Sequence, residues 1–290
     1  MQHLLPGDPV RTMIMSSASG AAPSGGVTDE MLENFRHQLG LDRPLHVQFG
    51  SYVWGLLHGD LGRSFRSDRP VAEMLLEQLP HTIRLTLAGL GIAVFLGLAL
   101  GVVAGLKPNT WIDNVSMMIA TFGVSMPAFW LGLMLIYVVA LRLQILPALG
   151  TGSPQAILLP ALSLGFAGSA FIARLTRSSI VEIMGIDFIT AARAKGLAEP
   201  SVVLGHALRN ALIPVVTVIG LQFGSLMSGA VITETVFGRP GLGRLAVTAI
   251  LQKDFPLVQG FVLFVAVSYV LANLVVDLCY AVLDPRIRIG

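Results

Sequence analysis

The stretch Asp187-Phe188-Ile189-Thr190-Ala191-Ala192-Arg193-Ala194-Lys195-Gly196 lies between two long apolar segments. It reads as a short amphipathic helix with a glycine stop. Asp187 falls in the first turn and Arg193 and Lys195 in the last, so charge complements the helix dipole at both ends. Phe188, Ile189 and Ala192 fall on one side, while Ala191 and Ala194 keep the rest slim. Gly196 ends the helix, and Glu199-Pro200-Ser201 opens a second one leading to Asn210. A slim, charged helix of this kind suits insertion into the groove of a soluble partner, the alternative being an ordinary surface hairpin.

The surroundings are those of a membrane protein. Of the 290 residues, 54% are hydrophobic and only 12% charged, with a mean hydropathy of +0.75. A soluble domain carries about a quarter charged residues, so the chain is expected to be an all-α polytopic membrane protein. Five stretches reach the ~20 residues that a bilayer demands: Thr82–Leu106, Val115–Leu141, Ile157–Thr176, Ala211–Thr233 and Leu257–Leu283. They are nearly free of charge, since a charge at the bilayer centre costs about 2.5–3.5 kcal/mol. Lipid leaves no partner for open backbone, so the segments are read as helices. The net charge of +2 is too small to attract nucleic acid. Cys279 is the one cysteine and sits in an apolar run, which leaves no basis for disulfides or a metal cluster.

Residues 1–80 differ from the rest. They hold nine acidic side chains and many turn formers, as in Ser24-Gly25-Gly26, and read as an extracytoplasmic region with short helices. One of these helices is Asp29–Leu39, with Gly40 as its stop. No basic start followed by an apolar run marks a signal peptide. Met1-Gln2-His3-Leu4-Leu5-Pro6-Gly7-Asp8-Pro9 has the character of a helix exit, so a sixth, N-terminal span is expected ahead of it. Arg177, Arg193, Lys195 and Arg209, together with the tail 284–290, place the loop 177–210 and the C-terminus on the cytoplasmic side. The membrane domain is then 81–283.

Two ladders of small residues, Gly97-Gly101-Gly105 and Gly220-Gly224-Ser228, allow close helix approach. Packing within one subunit and a subunit interface both fit that spacing. Arg84, Arg174, Asp277 and Glu234 stand at segment ends, within reach of water. Glu234 opens the turn-rich run to Arg244, and with Gly238, Gly241 and Gly243 it could shape a substrate entrance. No G-x-x-x-x-G-K-[ST] and no His-Glu-x-x-His occurs. Catalytic residues, cofactor and metal are therefore expected to be absent, with the energy source in another polypeptide. A passive channel would need gating or ion-coupling groups at membrane depth, which the spans lack. A membrane scaffold would use the charged helix only as an anchor.

Thr190-Ala191-Ala192-x-x-x-Gly196 resembles the cytoplasmic "EAA" loop of binding-protein-dependent ABC importer permeases. Thr190 stands where that motif usually has a glutamate, and His206-Ala207-Leu208-Arg209 falls at its I-x-L-P. These departures resemble the peptide-transport branch, in which docking would depend on shape and on Arg193 and Lys195. Leu4-Leu5-Pro6-Gly7-Asp8-Pro9, His58-Gly59-Asp60-Leu61-Gly62-Arg63-Ser64 and Val276-Asp277-x-x-Tyr280-Ala281-x-x-Asp284-Pro285-Arg286 resemble the first permease subunit of dipeptide, oligopeptide and nickel importers. The resemblance spans the whole chain and implies a type I ABC importer transmembrane domain in the inner membrane of a prokaryote. Asp187–Gly196 would then be the helix that docks on the ATP-binding subunits. The other implied partners are a second permease subunit and an extracytoplasmic solute-binding protein. Di- or oligopeptides are the first expectation for the cargo, with glutathione, nickel or another small solute behind them.

Overall fold

The structure, a computed structural model, describes Glu33, residues 44–148 and residues 153–283, with mostly backbone alone beyond Leu271. Of the expected helix Asp29–Leu39 all but Glu33 lies outside the described residues, as do the tail 284–290 and the side chains of Asp277 and Cys279. Among the described residues nine helices follow one another: α1 Leu45–Leu57, α2 Val71–Leu106, α3 Trp111–Ser125, α4 Ala128–Leu135, α5 Leu158–Met184, α6 Asp187–Ala194, α7 Leu208–Val236, α8 Leu242–Leu251 and α9 Phe255–Leu283. A π-helical stretch, Ile136–Arg142, prolongs α4, and another, Val202–Ala207, leads into α7 behind the single turn Glu199–Ser201. Among the described residues there is no strand, only an isolated bridge between Arg63 and Pro70. The all-α membrane fold read from composition is the fold observed.

Among the described residues three helices are long and apolar enough to cross a bilayer: Val71–Leu106, Pro154–Met184 and Glu199–Val236. The span expected over Val115–Leu141 is broken. It is two helices meeting at a bend of 102°. Pro127 has no N–H to give the preceding turn and pushes Met126 into extended backbone (φ −94°, ψ 129°), which breaks the span at that point. The last expected span corresponds to α9, which is 29 residues long.

The chain divides into two units. One takes the described residues up to Leu79 with Leu245–Val267, the other Pro80–Arg244 with the residues from Ser268. In the first, Asp254 is buried and accepts the Ser64 hydroxyl at 2.5 Å and the Phe65 N–H at 3.1 Å. Ser64 Oγ in turn accepts the Arg66 and Ser67 N–H groups at 3.2 and 3.1 Å. The run His58–Ser64, familiar as a motif, is thus a tight turn capped by a distant carboxylate.

The second unit is packed in the inverse manner of a water-soluble domain. α3 buries Asp113, Ser116, Ala120 and Gly123. It exposes Trp111, Val115, Met118, Ile119 and Phe122. Large apolar groups face outward because lipid solvates them, and small groups face inward because close backbone approach drives helix association there. The seam between α2 and α5 shows this best. A Cβ on Gly97 would lie 2.6 Å from Ile172 Cβ, one on Gly101 2.6 Å from Thr176 Cβ, and one on Gly105 2.8 Å from Ile180 Cβ. Each glycine is a socket for a β-branched side chain, so this ladder serves packing within the chain. Gly224 on α7 likewise receives the edge of the Tyr269 ring.

Gly101→Val is expected to lower the melting temperature in detergent, since overpacking costs about 1–3 kcal/mol. Gly91→Ala is the matched control, because a Cβ there meets nothing within 4 Å. Equal melting temperatures for the two variants would remove the seam from the account.

Candidate functional site

The helix singled out by the sequence forms as α6, from Asp187 to Ala194. α5 ends at Gly185, and Ile186 is extended (φ −85°, ψ 147°), so α6 starts afresh in a new direction. Gly196 closes it in the left-handed region at φ +79°, its N–H donating to the Arg193 carbonyl at 2.9 Å. A glycine avoids the Cβ penalty of that conformation.

The apolar side of α6 does not point away from the protein. Ile189 and Ala192 are buried against Val202 and Ala207, with Ile183 and Met184 packed around them. Of the side formed by Phe188, Ile189 and Ala192, the last two are taken up within the chain and Phe188 stays exposed. Eight residues cannot hold themselves helical in water, and α6 is stabilised by seating Ile189 and Ala192 on its own chain. The free face carries Phe188, Thr190, Ala191, Ala194 and Lys195. Arg193 is exposed but engaged: Nε and Nη2 donate to the Glu199 carboxylate at 3.1 and 2.6 Å. That bidentate contact raises the pKa of the Arg193 guanidinium above its ordinary value. It also ties α6 to the turn that follows, so Arg193 stiffens the hairpin as well as charging it.

The second candidate region is a knot around Glu234. Although that carboxylate ends α7, it is fully buried. Oε1 accepts the Thr82 hydroxyl at 2.6 Å, and Oε2 accepts the Gly243 N–H at 2.8 Å and, weakly, the Arg244 N–H at 3.4 Å. Thr82 Oγ1 accepts the Leu242 N–H at 2.9 Å, so one hydroxyl donates to the acid and receives from the loop. Arg239, also buried, donates from Nη1 to the Ala156 carbonyl at 3.0 Å. Its own N–H reaches the Glu234 carbonyl at 2.9 Å.

Glycines make room for this arrangement. A Cβ on Gly241 would collide with the Glu234 carboxylate, and one on Gly243 with the Val231 backbone. Gly238 turns the chain at φ +59°. The structure therefore brings Glu234, Gly241 and Gly243 together, but in the interior. They fix the shape of the loop 237–244 from within.

A third cluster escaped sequence reasoning. Arg177, expected as a loop cation, sits on α5, which runs past the predicted end at Thr176 to Met184. Its Nε and Nη2 each donate to Asp113 at 2.6 Å. Asp113 is 2% exposed and also accepts the Asn109 N–H at 2.9 Å. A local signal existed at one end, the Asn109-Thr110 cap before an acid in a first turn. Nothing in the sequence connects that acid to an arginine 64 positions away.

Comparison with known proteins gives a consistent result. The family model described as "Binding-protein-dependent transport system inner membrane component" matches residues 97–289. A second model, for the N-terminal part of such membrane components, matches residues 14–86. The "Glutathione transport system permease protein GsiC" of Escherichia coli O6:H1 is 45% identical over 286 residues, 99% of this chain and 90% of the relative. Its counterpart in Salmonella choleraesuis is equally similar, at 45% over the same shares. Among solved structures, the MetNI methionine ABC transporter in inward-facing form aligns with a TM-score of 0.62 at 19% identity, covering 73% of this chain and 96% of that one. An amino acid ABC transporter aligns at 0.56 and 19%, over 72% and 94%. At those identities the structural likeness speaks for the fold alone.

Proposed function

The chain belongs to the binding-protein-dependent transport system inner membrane components, the permeases of ABC importers, and from that premise we propose that it passes glutathione and related small peptides inward. The observation that carries the cargo assignment is the 45% identity, spread over 99% of the chain, to permeases named for glutathione transport. Glutathione is itself a short peptide, so the reading stays within the peptide class expected from the motifs.

The chain is the membrane subunit of such an importer, with ATP hydrolysis in separate subunits. In our reading α6 with its free face docks in a cleft of the ATP-binding subunit. A similar second permease completes the pathway, and an extracytoplasmic binding protein delivers the solute. The region 1–80 helps to seat that protein. An equilibrium between inward- and outward-open states shifts only if ATP changes the contacts that α6 makes in the two states.

The test is uptake of labelled glutathione by cells with and without the gene, together with mass spectrometry of what co-purifies with the tagged protein in gentle detergent. Expected are ATP-binding subunits, a second permease, and uptake that depends on the gene and yields to excess unlabelled glutathione. Uptake of glutathione that is independent of the gene, beside lost uptake of another peptide, would move the cargo elsewhere in the class. Failure to recover any ATP-binding subunit would sink the docking role.

A further inference from the structure

The two helix seams on α5 differ in how their register is held. Along α2 the sockets Gly97, Gly101 and Gly105 each receive a β-branched side chain, so α2 and α5 interlock at three levels. Along α3 the contacts are smoother. Ala120 of α3 packs with Ala170 and Ala173 of α5. Small groups permit close approach but offer neither ridge nor groove against sliding.

Met117 of α3 also packs there, and the two ends of the α3–α5 seam carry larger contacts. At the end remote from α6 the Phe166 ring lies against Gly123, where a Cβ would meet Cδ1 at 3.1 Å. At the near end stands the Asp113–Arg177 fork, with both hydrogen bonds at 2.6 Å. A bidentate arginine–carboxylate pair fixes orientation as well as distance. Asp113 is held in turn by the Asn109 N–H and by its place in the first turn of α3, whose dipole favours an anion. Arg177 stands seven residues before the end of α5 at Met184, about 10 Å along the axis. α6 begins three residues beyond, at Asp187.

We propose that Asp113 and Arg177 are a positioning pair that locks α3 to α5 in register, so that force delivered through α6 moves α3 together with α5. The proposal rests on the docking role of α6. Without the fork, α5 still follows α6 and still carries α2, but the near end of α3 slips against it. α3 is half of the bent span, so slippage there uncouples ATP hydrolysis from passage of solute.

The test uses the assembled transporter in proteoliposomes with its loaded binding protein. Asp113→Asn and Arg177→Lys each remove the bidentate geometry. Expected for the single variants are normal recovery of ATP-binding subunits, ATP hydrolysis near wild type, and solute moved per ATP reduced about ten-fold, the scale of an ordinary coupling free energy. Unchanged solute per ATP in both single variants would overturn the proposal. So would loss of folded protein in Arg177→Lys, which keeps the charge, for the fork would then be a requirement of the fold alone. Should the wild-type preparation itself bind no ATP-binding subunit, the docking role of α6 is what fails, and that result is read before any variant.

Discussion

Replacing Glu234 with alanine is expected to destabilise the chain more than any exposed substitution in the loop that follows it. The carboxylate is fully buried, and its two strong contacts are the Thr82 hydroxyl and the Gly243 N–H. Alanine leaves both donors dry and a cavity between them. An orphaned buried donor costs about 1–3 kcal/mol, so two amount to several. For a unit of this size each kcal/mol lowers the melting point by about 2–4 °C, and the expected drop in detergent is on the order of 10 °C.

Two companions separate the causes. Thr82→Ser keeps the hydroxyl that bridges Glu234 and the Leu242 N–H, and stays near wild type. Thr82→Val removes it and follows Glu234→Ala. Gly241→Ala attacks the same knot from the other side, since its methyl would collide with the carboxylate. A Glu234→Ala protein that melts and transports like wild type would show the loop to be held by other means.

What could be read in the sequence and what could not divide along a physical line. Hydropathy is a property of each segment, so the spans were legible. The bounds of α6 were legible as well, because an acid at its start, basic residues at its end and a terminal glycine are all local signals. The break at Pro127 was local too, yet a window of apolar residues long enough to span hid it. Glu234 was singled out, but its burial depends on Thr82, 152 positions away. Ile189 and Ala192 were placed on an apolar side, but its direction depends on Val202 and Ala207 arriving beneath it. Spacing within one helix defines a face and leaves open what that face meets. The Asp113–Arg177 fork belongs to the same kind, since each residue alone reads as an ordinary charge near a helix end.

The orientation of α6 determines which variant tests docking. Ala192→Glu would place a charge where 7% of the residue is exposed, against Val202 and Ala207, and any loss of transport could follow from unseating α6. Ala191 is exposed and one position away. Glutamate is nearly as good a helix former as alanine, so Ala191→Glu leaves the isolated chain intact and changes only what a partner meets. A bulky charge at the centre of a helix seated in a groove abolishes a contact of hot-spot size, about 2–3 kcal/mol, or on the order of 100-fold in uptake. The expected result is a normal amount of membrane-inserted protein, ATP-binding subunits lost on purification, and uptake close to background.

Gly196 supplies the second half of the test. Its φ of +79° disfavours side chains, β-branched ones most, although a Cβ there meets nothing within 4 Å in this chain. Gly196→Val is therefore expected to fail through backbone strain, whereas Gly196→Asn can adopt the left-handed conformation. If Asn at this position transports normally, the glycine is needed only for its turn. If Gly196→Asn fails with the protein still folded, the space beside Gly196 is filled by the ATP-binding subunit. Normal uptake by a stable Ala191→Glu protein would defeat the docking role whatever Gly196 shows, because no groove closing on the free face of α6 could admit that charge unnoticed.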